Sequence, residues 1–205
     1  GLMPLVYQQN INAATRLGVW HIAEPESFFL ERVPLQQSIT HTHKRLQHLA
    51  GRWLLKELFP DFPLDLIRIA DTRKPFLENE PFHFSISHCG DYAAVIVSRT
   101  NRVGVDIEQV KEKIGSIVHK FLTPEEQFLL PRGSITQTAT LCWSIKEAVF
   151  KWYGAGKVDF KEHIRIHRVD EEMGMVKVSF HKEGPTDLQA RFLFFNGNSL
   201  CWVLS

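Results

Sequence analysis

Apolar and polar positions along the chain of 205 residues change rhythm several times. In residues 1–23 the runs Leu5-Val6-Tyr7 and Leu17-Gly18-Val19-Trp20 are short and apolar, which predicts strands. Over about 40–59, Leu46, Leu49, Ala50, Trp53, Leu54 and Leu58 recur every three or four positions, the spacing of one helix face, and Pro60 stops the pattern. From 82 to 108 the text turns to β. Phe84 and Ile86 alternate with polar neighbours, His88-Cys89-Gly90-Asp91 marks a turn, 92–98 gives a second strand, and 103–108 gives a third after another short turn. These short turns predict an antiparallel meander of the three strands. Helical text returns at about 114–130, where Thr123 reads as an N-cap followed by Pro124 and two glutamates. A further helix is predicted at about 138–153, ending at Gly154. Residues 163–205 read as strands with turns near Gly184-Pro185 and Asn196-Gly197-Asn198. The class is α+β, with an N-terminal half over 1–100 and a C-terminal half over 101–205.

Charge narrows the partners. The formal net charge is +1, so no global field draws in nucleic acid or an anionic membrane, and any bound anion needs a local cluster. No apolar run approaches the roughly 20 residues that span a bilayer, and the start of the chain lacks a signal-peptide pattern. Cys89, Cys142 and Cys201 show no CxxC spacing, which points to free thiols in a reduced, cytoplasmic protein.

Three patches carry candidate chemistry. In Gly104-Val105-Asp106-Ile107-Glu108 a strand would turn Val105 and Ile107 to one face and Asp106 and Glu108 to the other, where two carboxylates can grip a hard cation. The alternative is a half-exposed strand end with solvated acids. In Trp143-Ser144-Ile145-Lys146-Glu147-Ala148-Val149-Phe150-Lys151, a helix places Trp143, Glu147 and Lys151 on one side. Glu147 then offers a third acid and Lys151 a cation, or the two form an ordinary surface pair. In Phe84-Ser85-Ile86-Ser87-His88 the meander would bring His88 to the same sheet end as Asp106 and Glu108. His41 and His43 form an H-x-H without a third ligand at metal spacing. Gly154-Ala155-Gly156-Lys157 lacks the spacing of a phosphate loop and reads as a helix C-cap.

With these motifs in place, the sequence resembles the 4′-phosphopantetheinyl transferase superfamily, in particular its larger monomeric (surfactin-synthetase-type) branch. The G-[IV]-D-[IV]-E strand stands at 104–108 and the W-x-x-K-E-[AS]-x-x-K helix at 143–151. Upstream, F-[NS]-[IL]-S-H-[CST] stands at 84–89. The G-K-P that precedes it appears as Arg73-Lys74-Pro75, with arginine in the glycine's place. The resemblance implies two similar α+β halves related by a pseudo-twofold, with coenzyme A in the cleft between them. It implies a holo-[acyl-carrier-protein] synthase type enzyme that transfers 4′-phosphopantetheine to a serine of an apo acyl or peptidyl carrier protein and releases adenosine 3′,5′-bisphosphate. Asp106, Glu108 and Glu147 would bind Mg²⁺, Lys151 and His88 would contact phosphate oxygens, and Lys74, Pro75 and Ser87 would lie near the adenine. Glu126 matches a glutamate proposed in relatives as the base. For the 3′-phosphate the basic residues of the first long helix compete, with Arg45 ahead of Arg52, and Arg73 adding a further cation. The partners implied are coenzyme A and a carrier protein, with no nucleic acid and no membrane, for a monomer. Carrier specificity is expected near Lys120 and Phe121-Leu122, unless the latter two line the core. A metal-dependent nuclease is the rival enzyme reading, opposed by the neutral charge. A non-catalytic carrier-binding module is the other, opposed by the complete set of acids.

Overall fold

The computed structural model describes residues 5–205; residues 1–4, within the first predicted strand region, lie outside the described residues. The chain divides into two compact units at Val103/Gly104.

The first unit runs through β1 (Leu5–Asn12), β2 (Thr15–His21), a short helix α1 (Glu26–Leu30), a long helix α2 (Thr42–Leu58), β3 (Arg68–Ile69), β4 (Pro75–Phe76), β5 (His83–Cys89) and β6 (Tyr92–Ser98). Four strands make one antiparallel sheet in the order β1-β2-β6-β5, while β3 and β4 form a small hairpin. Helix α2 lies on β6 and β2. Its apolar stripe, Leu49, Ala50, Leu54, Leu55 and Leu58, is buried with Trp20, Phe62, Phe84, Val95 and Val97. Each such leucine contributes about 1.5–3 kcal/mol relative to exposure, which outweighs any intrinsic helix preference. The helix starts where the His41 ring accepts from the Lys44 amide, and it stops at Phe59, before Pro60.

The second unit holds β7 (Val103–Gln109), two 3-10 segments (Glu112–Lys120 and Glu126–Leu129), helix α3 (Thr136–Tyr153), β8 (Ile164–Asp170), β9 (Met175–Phe180), β10 (Thr186–Phe195) and β11 (Asn198–Leu204). The sheet order is β7-β11-β10-β9-β8. Helix α3 lies on β11, and its inner face packs Ile145, Val149 and Trp152 against Ile166, Val178, Phe180 and Val203. Gly154 closes the helix at φ 76°, a left-handed conformation that glycine adopts without steric cost, and its amide donates to the Phe150 carbonyl at 3.0 Å. Among the described residues no helix is long and apolar enough to cross a membrane.

Two expectations need correction. The meander does not form: β6 is flanked by β2 and β5, so both its edges are used, and β7 instead joins β11 in the other sheet. Shared strands therefore do not place His88 beside the acids. The predicted helix over 114–130 is two 3-10 segments, because Pro124 has no amide to donate and its ring would strike the turn before it. Phe121 and Leu122, between those segments, are buried in the core of the second unit, so they are not carrier contacts; the exposed apolar side chain there is Phe128.

Candidate active site

Strand β7 turns Gly104, Asp106 and Glu108 to one face. That face meets α3, because a Cβ added to Gly104 would lie 2.0 Å from the Ala148 carbonyl oxygen and 2.7 Å from the Trp152 nitrogen. Only a glycine admits the helix backbone this closely. The solvated strand end considered from sequence is thus excluded: Asp106 is 2% exposed. Helix α3 presents Trp143, Glu147 and Lys151 to the same region. The Trp143 indole donates to Glu108 Oε1 at 3.2 Å, and Lys151 Nζ lies 3.4 Å from Asp106 Oδ1. Phe121 and Phe160 flank the Trp143 ring, at centroid distances of 5.1 and 5.3 Å, and hold the indole in place.

The three acids crowd one another. Burial pushes the Glu108 carboxyl up to about 8, helped by the charge of Asp106, a hydrogen bond to Asp106 and the charge of Glu147. Glu147 rises to about 7, first from burial and then from Asp106, while Lys151 pulls the other way. Carboxylates in this state lack positive charge, and a hard divalent cation with oxygen ligands fits the donor set. As the side chains stand, no group of three or more His, Cys, Asp or Glu among the described residues is arranged to hold a metal. The fit rests on the donor chemistry.

Glu126 stands elsewhere in this unit. It is 4% exposed; its Oε1 accepts from Lys146 Nζ at 2.8 Å and from the Thr123 amide at 3.0 Å, and its Oε2 accepts from the Ile166 amide at 2.8 Å. The Glu126 amide in turn donates to Thr123 Oγ1 at 3.1 Å, so the predicted N-cap is real and is a reciprocal capping box. A carboxylate this fully engaged is badly placed to take a proton from a substrate. Lys146 was not singled out from sequence. Its position four residues after Cys142 and three before Val149, inside an apolar helix stripe, was the available signal.

The first unit gathers cations. Arg52 is 8% exposed on α2 and burial lowers it to about 10. His48, one turn before it, falls to about 4 through burial and then through the charges of Arg52 and His88. His88 is exposed near the end of β5, and Ser87 beside it is buried. His48 was also missed from sequence. Lys74 is lowered to about 8 by burial and by Arg102, with Glu80 opposing. Arg45 is differently employed: it forms an ion pair with Glu26, Nη2 lying 3.1 Å from Oε2, and donates to the Ile39 carbonyl at 2.8 Å. It ties α1 to α2, so its guanidinium is already engaged within this unit. Arg73 sits at φ 71° in the β3–β4 turn, with Pro75 opening β4. The left-handed backbone explains why a glycine suits this place. His43 Nε2 bonds the Gly90 carbonyl at 3.0 Å.

A family model described as the 4′-phosphopantetheinyl transferase superfamily matches residues 102–192. An Escherichia coli protein named enterobactin synthase component D is 30% identical over 143 residues, covering 62% of this chain and 68% of that protein. A Haemophilus influenzae protein provisionally named a 4′-phosphopantetheinyl transferase is 32% identical over 126 residues, covering 58% and 53%. The Xenopus laevis L-aminoadipate-semialdehyde dehydrogenase-phosphopantetheinyl transferase is 30% identical over 156 residues, covering 65% and 50%. The chain therefore spans about half to two thirds of the length of these relatives.

Proposed function

Because the chain belongs to the 4′-phosphopantetheinyl transferase superfamily, we propose that it moves the 4′-phosphopantetheine arm of coenzyme A onto a serine of an apo acyl or peptidyl carrier protein, as a holo-[acyl-carrier-protein] synthase type enzyme. One observation carries the reading: buried Asp106 and half-buried Glu108 and Glu147 crowd together beside Lys151 on the two elements that the family model covers. Attack on a phosphoryl centre needs charge neutralisation and alignment more than covalent help.

Asp106, Glu108 and Glu147 would hold Mg²⁺, which when bound supplies charge neutralisation for a pyrophosphate. Lys151 adds a flexible point charge for a phosphoryl oxygen, and Trp143 fixes the rotamer of Glu108 through its indole N–H. In the first unit Arg52, with His88 exposed nearby, supplies donors for a phosphate, and Lys74 with Pro75 and Ser87 borders the nucleotide base. The Arg73 side chain, exposed on its turn, is a further cation within this unit. The products are the modified carrier and adenosine 3′,5′-bisphosphate. The thiols of Cys89, Cys142 and Cys201, none of them in a disulfide, support a reducing, cytoplasmic setting, and the enzyme acts as a monomer.

The test is a mass measurement. An apo carrier protein incubated with this chain, coenzyme A and Mg²⁺ should gain one phosphopantetheine, about 340 Da from its covalent composition, and a chelator should stop the gain. A carrier that stays unmodified while added DNA or RNA is cut under the same Mg²⁺ would overturn the proposal.

A further inference from the structure

Lys146 is a lysine with no exposed side-chain surface. Its ammonium has three N–H groups, and each has an acceptor: Glu126 Oε1 at 2.8 Å, the Phe160 carbonyl at 2.7 Å and the Ile164 carbonyl at 2.8 Å. Glu126 passes the restraint on to the Thr123 and Ile166 amides. Five hydrogen bonds thus pin α3, through one residue, to the capping-box turn, to the loop at Phe160 and to the start of β8. Lys146 is the immediate neighbour of Glu147, and Glu147 is one of the crowded acids.

We propose that Glu126 and Lys146 are positioning residues: they set the roll of α3 about its own axis and so aim Glu147 and Lys151 at Asp106 and Glu108, and neither touches substrate. The inference rests on the transferase reading only for what the aimed acids do. Side-chain ends lie about 5–6 Å from a helix axis, so a roll of about 10° displaces them by about 1 Å. A shift of that size in a positioned group can cost about 100-fold in rate. The same geometry removes Glu126 from the role of base. Protonating it would leave Lys146 buried without a counter-charge, and its oxygens already face main-chain amides rather than solvent.

The experiment uses the full chain and two readouts, Mn²⁺ affinity without coenzyme A or carrier, and transfer rate against pH. Glu126→Gln and Lys146→Gln should each weaken Mn²⁺ binding by about tenfold or more. The double variant should fall short of the product of the two single effects, because the two residues share one contact. The ratio of variant to wild-type transfer rate should not change with pH. Wild-type Mn²⁺ affinity in Glu126→Gln, with a rate ratio that climbs toward one as pH rises, would overturn the proposal and restore Glu126 as the base. If the glutamine variants do not fold, Thr123→Val decides: it removes only the hydroxyl of the capping box, and it should weaken Mn²⁺ binding severalfold, whereas unchanged affinity would overturn the proposal. A wild-type chain that binds Mn²⁺ but modifies no carrier would sink the transferase reading alone, since the affinity comparison stands without it.

Discussion

The two units share a plan, a sheet with one long helix across it, yet they store opposite charge. In the first, Arg52, His48 and Lys74 are all pushed toward losing protons by burial, and His48 and Lys74 also by neighbouring cations. In the second, Glu108 and Glu147 are pushed toward keeping them, by burial and by neighbouring carboxylates. Under the proposed function each unit would therefore gain from a ligand of the opposite sign: an anion such as a phosphate in the first, a divalent cation in the second. The lesson is that the scaffold is indifferent to the chemistry, and a few side chains on a helix and an adjoining strand decide it.

Four measurements put this contrast to the test. The largest effect should come from Asp106→Ala, which removes the most buried of the crowded acids. Transfer should fall by about 100- to 1,000-fold, Mn²⁺ binding should weaken, and the circular dichroism spectrum should not change. Near-normal turnover at low Mg²⁺ would take Asp106 out of the proposed metal site.

Next comes a pair of arginines. Arg52→Ala should raise the KM for coenzyme A by about tenfold, or ~1.4 kcal/mol, and should erase the preference for coenzyme A over 3′-dephospho-coenzyme A. Arg45→Ala should leave that preference intact and lower stability instead, since its guanidinium holds Glu26 and the Ile39 carbonyl. The reverse outcome would put Arg45 back at the phosphate. Lys151→Ala, by contrast, should appear in kcat more than in KM.

A third effect is on stability against pH. In the unfolded chain Glu108 and Glu147 would release protons near 4.5, but in the fold they hold them to about 8 and about 7. Between those values the folded state binds more protons, so this contribution is complete below about 4.5 and is lost as pH rises through the folded values. His48 works in the opposite sense, with a folded value of about 4 against 6.5, and its influence ends near 6.5. From pH 6.5 to 8 the Tm of the metal-free protein should therefore fall, and excess Mg²⁺ should flatten the decline. A flat curve without metal would mean that the acids are not crowded. The smallest effect is expected from Arg73→Gly, which relieves a left-handed backbone but frees the unfolded chain, for a net gain below about 1 kcal/mol in denaturant unfolding.

Much of this was legible in the chain itself. Periodicity located α2, α3 and most of the strands, because burial of one face leaves a record every two or every three to four residues. The acids of β7 and α3 were legible for the same reason, as residues of one face. What was not legible depends on partners far apart in sequence. Nothing in 92–108 says that β2 will occupy the edge of β6 that β7 would need. Nothing near Arg45 announces Glu26, and nothing near Glu126 announces Lys146, 20 residues on. Glu126 read as a candidate base and as a helix-start acid with equal ease. Only the buried lysine separates the two.

Gly104 sets the gauge of the acid site. Where strand and helix are held apart by side chains, their separation drifts whenever a core residue is exchanged for a larger or smaller one. Here main-chain atoms of β7 and α3 abut, with no room even for a methyl group. The span from Asp106 to Glu147 is then fixed by atomic radii that no substitution elsewhere in the core can alter. Gly104→Ala would push the two elements apart, so the site can be spoiled by a change at a position that carries no functional group at all.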